Sequence, residues 1–186
     1  MEIAAALTAK NAPNRSKAIP MSEFIFDTET SGSVGWTSAS VDTLNGAMDI
    51  QRITSISSSG YHCQSGSWFN SAESGHGFVS QVINVDTSEM LLLVWYVYLD
   101  GEQKWMLGIA PLVDGQASVD MSIFSGADFP PDFDPDTVAE EPWGTVLFKY
   151  TGASTATASW TTVYPGYTNG SMNLERLTTL SGNQCQ

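Results

Sequence analysis

The chain has 186 residues, 42% of them apolar, with seven Lys plus Arg against twenty Asp plus Glu and a net charge of −13. That length suits one ordinary domain, or one domain and a fragment, and lets roughly 70% of the unfolded surface be buried without a metal or a dense disulfide net. So acidic a surface repels phosphate backbones and anionic lipid, which argues against nucleic-acid and membrane-surface partners. No apolar run is long enough for a transmembrane helix, which argues against membrane insertion.

Residues 1–22 open with an Ala-rich piece that Pro13 and Pro20 end. A helix of about two turns is marginal alone, so this segment is expected to be a leader, an arm or a docking piece. It lacks the basic start and long apolar core of a secretory signal.

Residues 23–63 contain three short strand candidates, Phe24–Phe26, Ser33–Thr37 and Ala47–Ile53, separated by Gly, Ser, Asn and Asp. At an offset of 124 they match the C-terminus. Phe24 falls on Phe148, Phe26 on Tyr150, Trp36 on Trp160, Met48 on Met172 and Arg52 on Arg176. The in-phase matches predict an internal repeat, with 23–63 a half-copy of about three strands equivalent to 147–185, and 64–186 a complete module. Scarce in so acidic a chain, Arg52 and Arg176 are expected to make a structural ion pair or cap carbonyls.

Cys63 and Cys185 bracket the complete module. In a Ser/Thr/Gly-rich, lysine-poor chain, their placement predicts a disulfide tying its start to its end. The loop-entropy model values that closure on the order of 4–5 kcal/mol. The other reading is two buried thiols.

Within the module, Phe78–Asn84 alternates, and Met90–Leu99 is nearly all apolar, as in a strand covered on both faces. Asp100-Gly101 and Asp114-Gly115 are hairpin signals, with return strands expected over Gln103–Leu112 and Ala117–Phe124. Residues 125–142 hold four prolines and six carboxylates and read as a long structured loop. Trp143–Tyr150, Thr155–Val163 and Ser171–Leu177 complete about eight strands. The expected fold is all-β, an antiparallel meander forming a small barrel or sandwich.

Gly66-Ser67-Trp68-Phe69-Asn70, Ser74-Gly75-His76-Gly77-Phe78, Trp95-Tyr96-Val97-Tyr98, Phe129-Pro130-Pro131, Pro142-Trp143-Gly144-Thr145 and Met172-Asn173-Leu174-Glu175-Arg176-Leu177 carry a resemblance. The chain resembles a β-strand repeat module, often in tandem, of secreted proteins of Gram-negative bacteria. The resemblance covers 64–186 in full and 23–63 as a half-copy. It implies export, to the periplasm or beyond, and no particular activity.

Three constellations could carry chemistry. Asp132, Asp134 and Asp136 alternate, with Asp128, Glu140 and Glu141 near, as oxygen ligands of Ca²⁺ would, although the EF-hand pattern is not met. A solvated acidic loop is the plainer alternative. His76 between two glycines is the best general base, with Ser74 or Ser80 as nucleophile and Glu73 as orienting acid. No Gly-x-Ser-x-Gly elbow accompanies it, and a turn histidine is the alternative. Lastly, Trp68, Trp95, Tyr96, Trp105 and Trp143 could stack on sugar rings where they are not core. Trp95 and Tyr96 must face opposite sides of their strand.

These features support an exported module that binds a carbohydrate or other small amphipathic ligand, or mediates assembly. A small, Ca²⁺-dependent hydrolase of an ester or lactone using His76 is one alternative. A structural subunit that forms homo-oligomers through the half-copy is another.

Overall fold

The computed structural model describes residues 21–37, 45–55, 60–128 and 132–180. Cys185, the Phe129–Pro131 motif and all of the expected N-terminal arm except Met21 and Ser22 lie outside them. Cys63 is buried, and the expected disulfide falls outside the described residues. Two compact units divide the chain, Met1–Arg52 and Ile53–Gln186. The segment from residue 53 to Cys63 thus belongs with the larger unit.

The larger unit is a closed, eight-stranded antiparallel barrel. Its strands are β4 (Gly66–Phe69), β5 (Gly77–Val85), β6 (Ser88–Leu99), β7 (Glu102–Pro111), β8 (Gln116–Ser125), β9 (Ala139–Gly152), β10 (Thr155–Thr162) and β11 (Gly170–Arg176). Each strand pairs with the next, and β11 returns to β4. Three hairpins turn through Asp86, Asp100 and Asp114, all at φ near +50°, and Gly101 and Gly115 follow the last two. Asp tolerates this left-handed backbone because its short side chain bonds locally, and Gly because it has no Cβ.

Period-two alternation drives apolar side chains inward. Phe78, Val82, Leu91, Leu93, Trp95, Met106, Val119, Val146, Phe148 and Leu174 are buried in one core. Side chains fill the inside, as expected of eight strands with large inward residues. Around Ser80 they also satisfy buried polar atoms: Trp68 Nε1 donates to Ser80 Oγ at 2.9 Å, and Tyr150 Oη lies 3.0 Å from the same oxygen. The turn Tyr61–Ser65 seals that end. Gln64 Nε2 donates to Gly152 O, and Ser65 Oγ accepts the Val82 N–H.

Two expectations change. Met90–Leu99 is covered on one face only, because a closed barrel has one inside: Leu91, Leu93, Trp95 and Val97 are buried, while Tyr96 and Tyr98 are 53% and 51% exposed. The loop expected over 125–142 also ends early. Ala139–Pro142 already pair with β8, and the register shifts between Met121 and Ser122. That bulge lets a proline sit in the strand. It also resets the alternation, so that Trp143 turns inward and is fully buried.

The smaller unit is a three-stranded antiparallel sheet of β1 (Met21–Phe26), β2 (Ser31–Thr37) and β3 (Gly46–Gln51). Its pairing matches that of β9–β11 at the offset of 124. Phe24 faces Val34 and Val34 faces Met48, as Phe148 faces Ala158 and Ala158 faces Met172. The Arg52 N–H donates to Thr30 O at 2.8 Å, and the Arg176 N–H to Ser154 O at 3.0 Å. The guanidinium groups reach equivalent carbonyls, Glu29 O and Ala153 O. Both arginines thus cap carbonyls.

Candidate functional site

Because the barrel interior is packed, ligand-accessible chemistry lies outside it. Two adjoining hollows share Gly75 and Tyr96 and form one groove over the ends of β5, β6 and β7. One, of about 460 Å³, is lined by Ser74, Gly75, His76, Gly77, Tyr96 and Leu177. The other, of about 340 Å³, continues along Tyr98, Gln103, Lys104 and Trp105.

Hairpin geometry builds the aromatic floor. The two-residue turn at Asp100-Gly101 puts Tyr96 opposite Trp105 and Tyr98 opposite Gln103. On the next strand Phe124 stacks on Trp105, with ring centroids 4.9 Å apart and planes 10° apart. Trp105 remains 43% exposed. Gln103 flanks these rings, and Lys104 lies on the opposite face of β7, the face of Met106. Gln103 Nε2 donates to Tyr98 Oη at 3.3 Å, and Lys104 Nζ donates to Glu102 Oε2 at 2.9 Å. The Lys104 ammonium holds the exposed Glu102 carboxyl below its ordinary value by hydrogen bonding and charge, and Glu102 raises Lys104 in the same way.

The glycines that flank His76 have different reasons. Gly75 takes φ +110°, which L side chains rarely adopt. At Gly77 a Cβ would lie 2.4 Å from Trp68 O, so the backbone could not come so close with any other residue. They present His76 with Nε2 3.5 Å from Glu73 Oε2. His76 Nδ1 is buried and has no hydrogen-bond partner among the described residues.

The expected catalytic set is only partly assembled. Glu73 and His76 meet, but no hydrogen bond joins Ser74 to His76 among the described residues. Ser80 points into the core, where it serves Trp68 and Tyr150. The expected aromatic set divides in two. Trp68, Trp95 and Trp143 are 1%, 4% and 0% exposed and pack in the core, although Trp68 also borders the larger hollow. Tyr96 and Trp105 do face the groove. The acidic set is not gathered. Asp134 accepts the Asp136 N–H at 3.0 Å and caps the short 3₁₀ turn Pro135–Thr137. Asp128, Asp132, Asp134 and Asp136 are exposed, and no three His, Cys, Asp or Glu residues among those described are placed to hold a metal ion.

Gln103 and Lys104 were not anticipated as part of a site. The signal was present, since a two-residue turn at 100–101 fixes which residues oppose one another on β6 and β7. Comparison with family models, curated proteins and solved structures returns no match for this chain.

Proposed function

We propose that the chain is an exported, non-catalytic module that binds a carbohydrate along the groove from His76 to Trp105. The single observation behind this reading is the pair of exposed aromatic rings Tyr96 and Trp105, the latter backed by the half-buried Phe124, beside a polar margin. Aromatic faces carry negative quadrupole density that suits the C–H face of a sugar ring, while Gln103 and Tyr98 Oη can take its hydroxyls. Lys104 is the groove's one cation among the described residues and is paired with Glu102. With the chain's net charge of −13, this favours neutral over acidic sugars. Export, and closure of the module by a Cys63–Cys185 disulfide, belong to the same reading.

Titration of neutral and uronic-acid oligosaccharides by calorimetry tests it. A neutral sugar should bind, and Trp105→Ala should weaken it by about 10-fold or more, roughly 1.4 kcal/mol. Equal affinity in the Trp105→Ala variant rejects the groove.

A further inference from the structure

Among the described residues, the sheet β1–β3 carries a core-like face with no core against it. Phe24 and Met48 hold the register positions of Phe148 and Met172, which are 0% and 8% exposed, yet they are themselves 60% and 44% exposed. Phe26, in the place of Tyr150, is 74% exposed. In the barrel the equivalent face is covered by β4–β8 and by the turn ahead of β4.

A hollow on this sheet narrows what would fit against it. It measures about 410 Å³ and is lined by Phe26, Glu29, Thr30, Ile50, Gln51 and Arg52. At the offset of 124 these become Tyr150, Ala153, Ser154, Leu174, Glu175 and Arg176. Three side chains occupy that place in the barrel. Tyr61 stacks on Tyr150 with ring centroids 6.2 Å apart. Gln64 Oε1 accepts from Arg176 Nη2 at 2.8 Å. Trp68 lies beneath the same guanidinium, 5.2 Å away. The hollow therefore has the lining that a Tyr-x-x-Gln-x-x-x-Trp segment fills one module later.

We propose that β1–β3 is a receptor for the leading half of another module of this kind. The occupant is a five-stranded antiparallel segment equivalent to Gly66–Ser125, led by that Tyr…Gln…Trp anchor. A second copy of this chain is not the occupant, because its β4–β8 already closes on its own β9–β11. The receptor is independent of the aromatic groove, and neither reading requires the other.

The test uses the full chain with an added copy of residues 60–128 placed ahead of Met1. Residues 1–20 then provide a connection similar in length to the one joining Ser125 to Thr145, the counterpart of Met21. Amide exchange is followed in peptides covering 21–37 and 46–51. The expected result is exchange slowed about 100-fold in both, as for strands that open only with their barrel. Phe26→Asp in the receptor sheet should abolish the slowing. Unchanged exchange in these peptides, whatever the state of the added strands, overturns the proposal, as does protection that survives Phe26→Asp. A self-associated chain that already protects 21–37 without the added copy would make a second copy the occupant and overturns it too.

Discussion

The sheets β1–β3 and β9–β11 share register, capping hydrogen bonds and the chemistry of one face, and they differ in burial. Trp36 and Trp160 show how local the common features are. Each ring lies against a glycine of the next strand, so that a Cβ on Gly46 or Gly170 would meet it at 2.3 or 2.6 Å. Short-range sequence thus sets strand pairing in both places, as turn residues and cross-strand pairs are expected to do. Burial is decided by five other strands, which among the described residues only one of the two sheets has. A face that reads as core in the sequence is core only where something covers it.

The sharpest way to break this comparison is to truncate equivalent phenylalanines. Phe148→Ala should cost about 3–5 kcal/mol in urea unfolding of the barrel, as for a fully buried ring. Phe24→Ala should cost about 1 kcal/mol or less, read by amide exchange in β1–β3, because most of its ring is already in water. Equal costs would mean that the small sheet has a core after all. The glycines should behave alike instead. Gly46→Ala and Gly170→Ala each force a tryptophan ring aside, at about 1–3 kcal/mol apiece in the same two assays.

A smaller effect separates Tyr150 from Phe26. Tyr150→Phe makes the two positions identical and removes the bond to Ser80, at about 1–2 kcal/mol. It should also change the response to alkali. Burial holds the Tyr150 phenol well above the usual tyrosine range, with the Ser80 hydrogen bond opposing it. The folded chain therefore keeps a proton that the unfolded chain loses first, so stability is intact below about pH 10 and falls as pH rises above it. Urea midpoints measured up to pH 11 should decline less steeply in Tyr150→Phe. Smallest of all, Trp105→Ala should change barrel stability by about 1 kcal/mol or less, in contrast to its effect on sugar affinity, because the ring is already half in solvent.

Much of the barrel was legible because its strands alternate and its hairpins turn at Asp-Gly pairs. Those signals act over a few residues, and they placed seven of the eight barrel strands, all but β4. Closure was not legible. Whether eight strands form a ring or two packed layers depends on pairing β11 with β4, which no local pattern encodes. Nor was the orientation of Trp143, which follows from a bulge, and a bulge shifts parity without changing composition. The groove was half legible. Tyr96 and Trp105 could be picked as surface aromatics, but Trp68 and Trp95 look the same in sequence and turn inward. In the acidic loop the carboxylates have ligand-like spacing, and Asp134 uses its side chain on a local cap.

The seam between β11 and β4 has a kinetic consequence. Only Glu175 with Phe69 and Arg176 with Trp68 are in register across it. Nearby, the Ser67 N–H donates to Thr178 Oγ1, a bond between positions 111 apart in sequence. Every other neighbouring pair of strands in the ring follows directly along the chain, so those pairs can zip early and cheaply, within microseconds for a single hairpin. The ring is left with one late latch, formed when the two ends of the module meet, and that meeting should set the pace of folding.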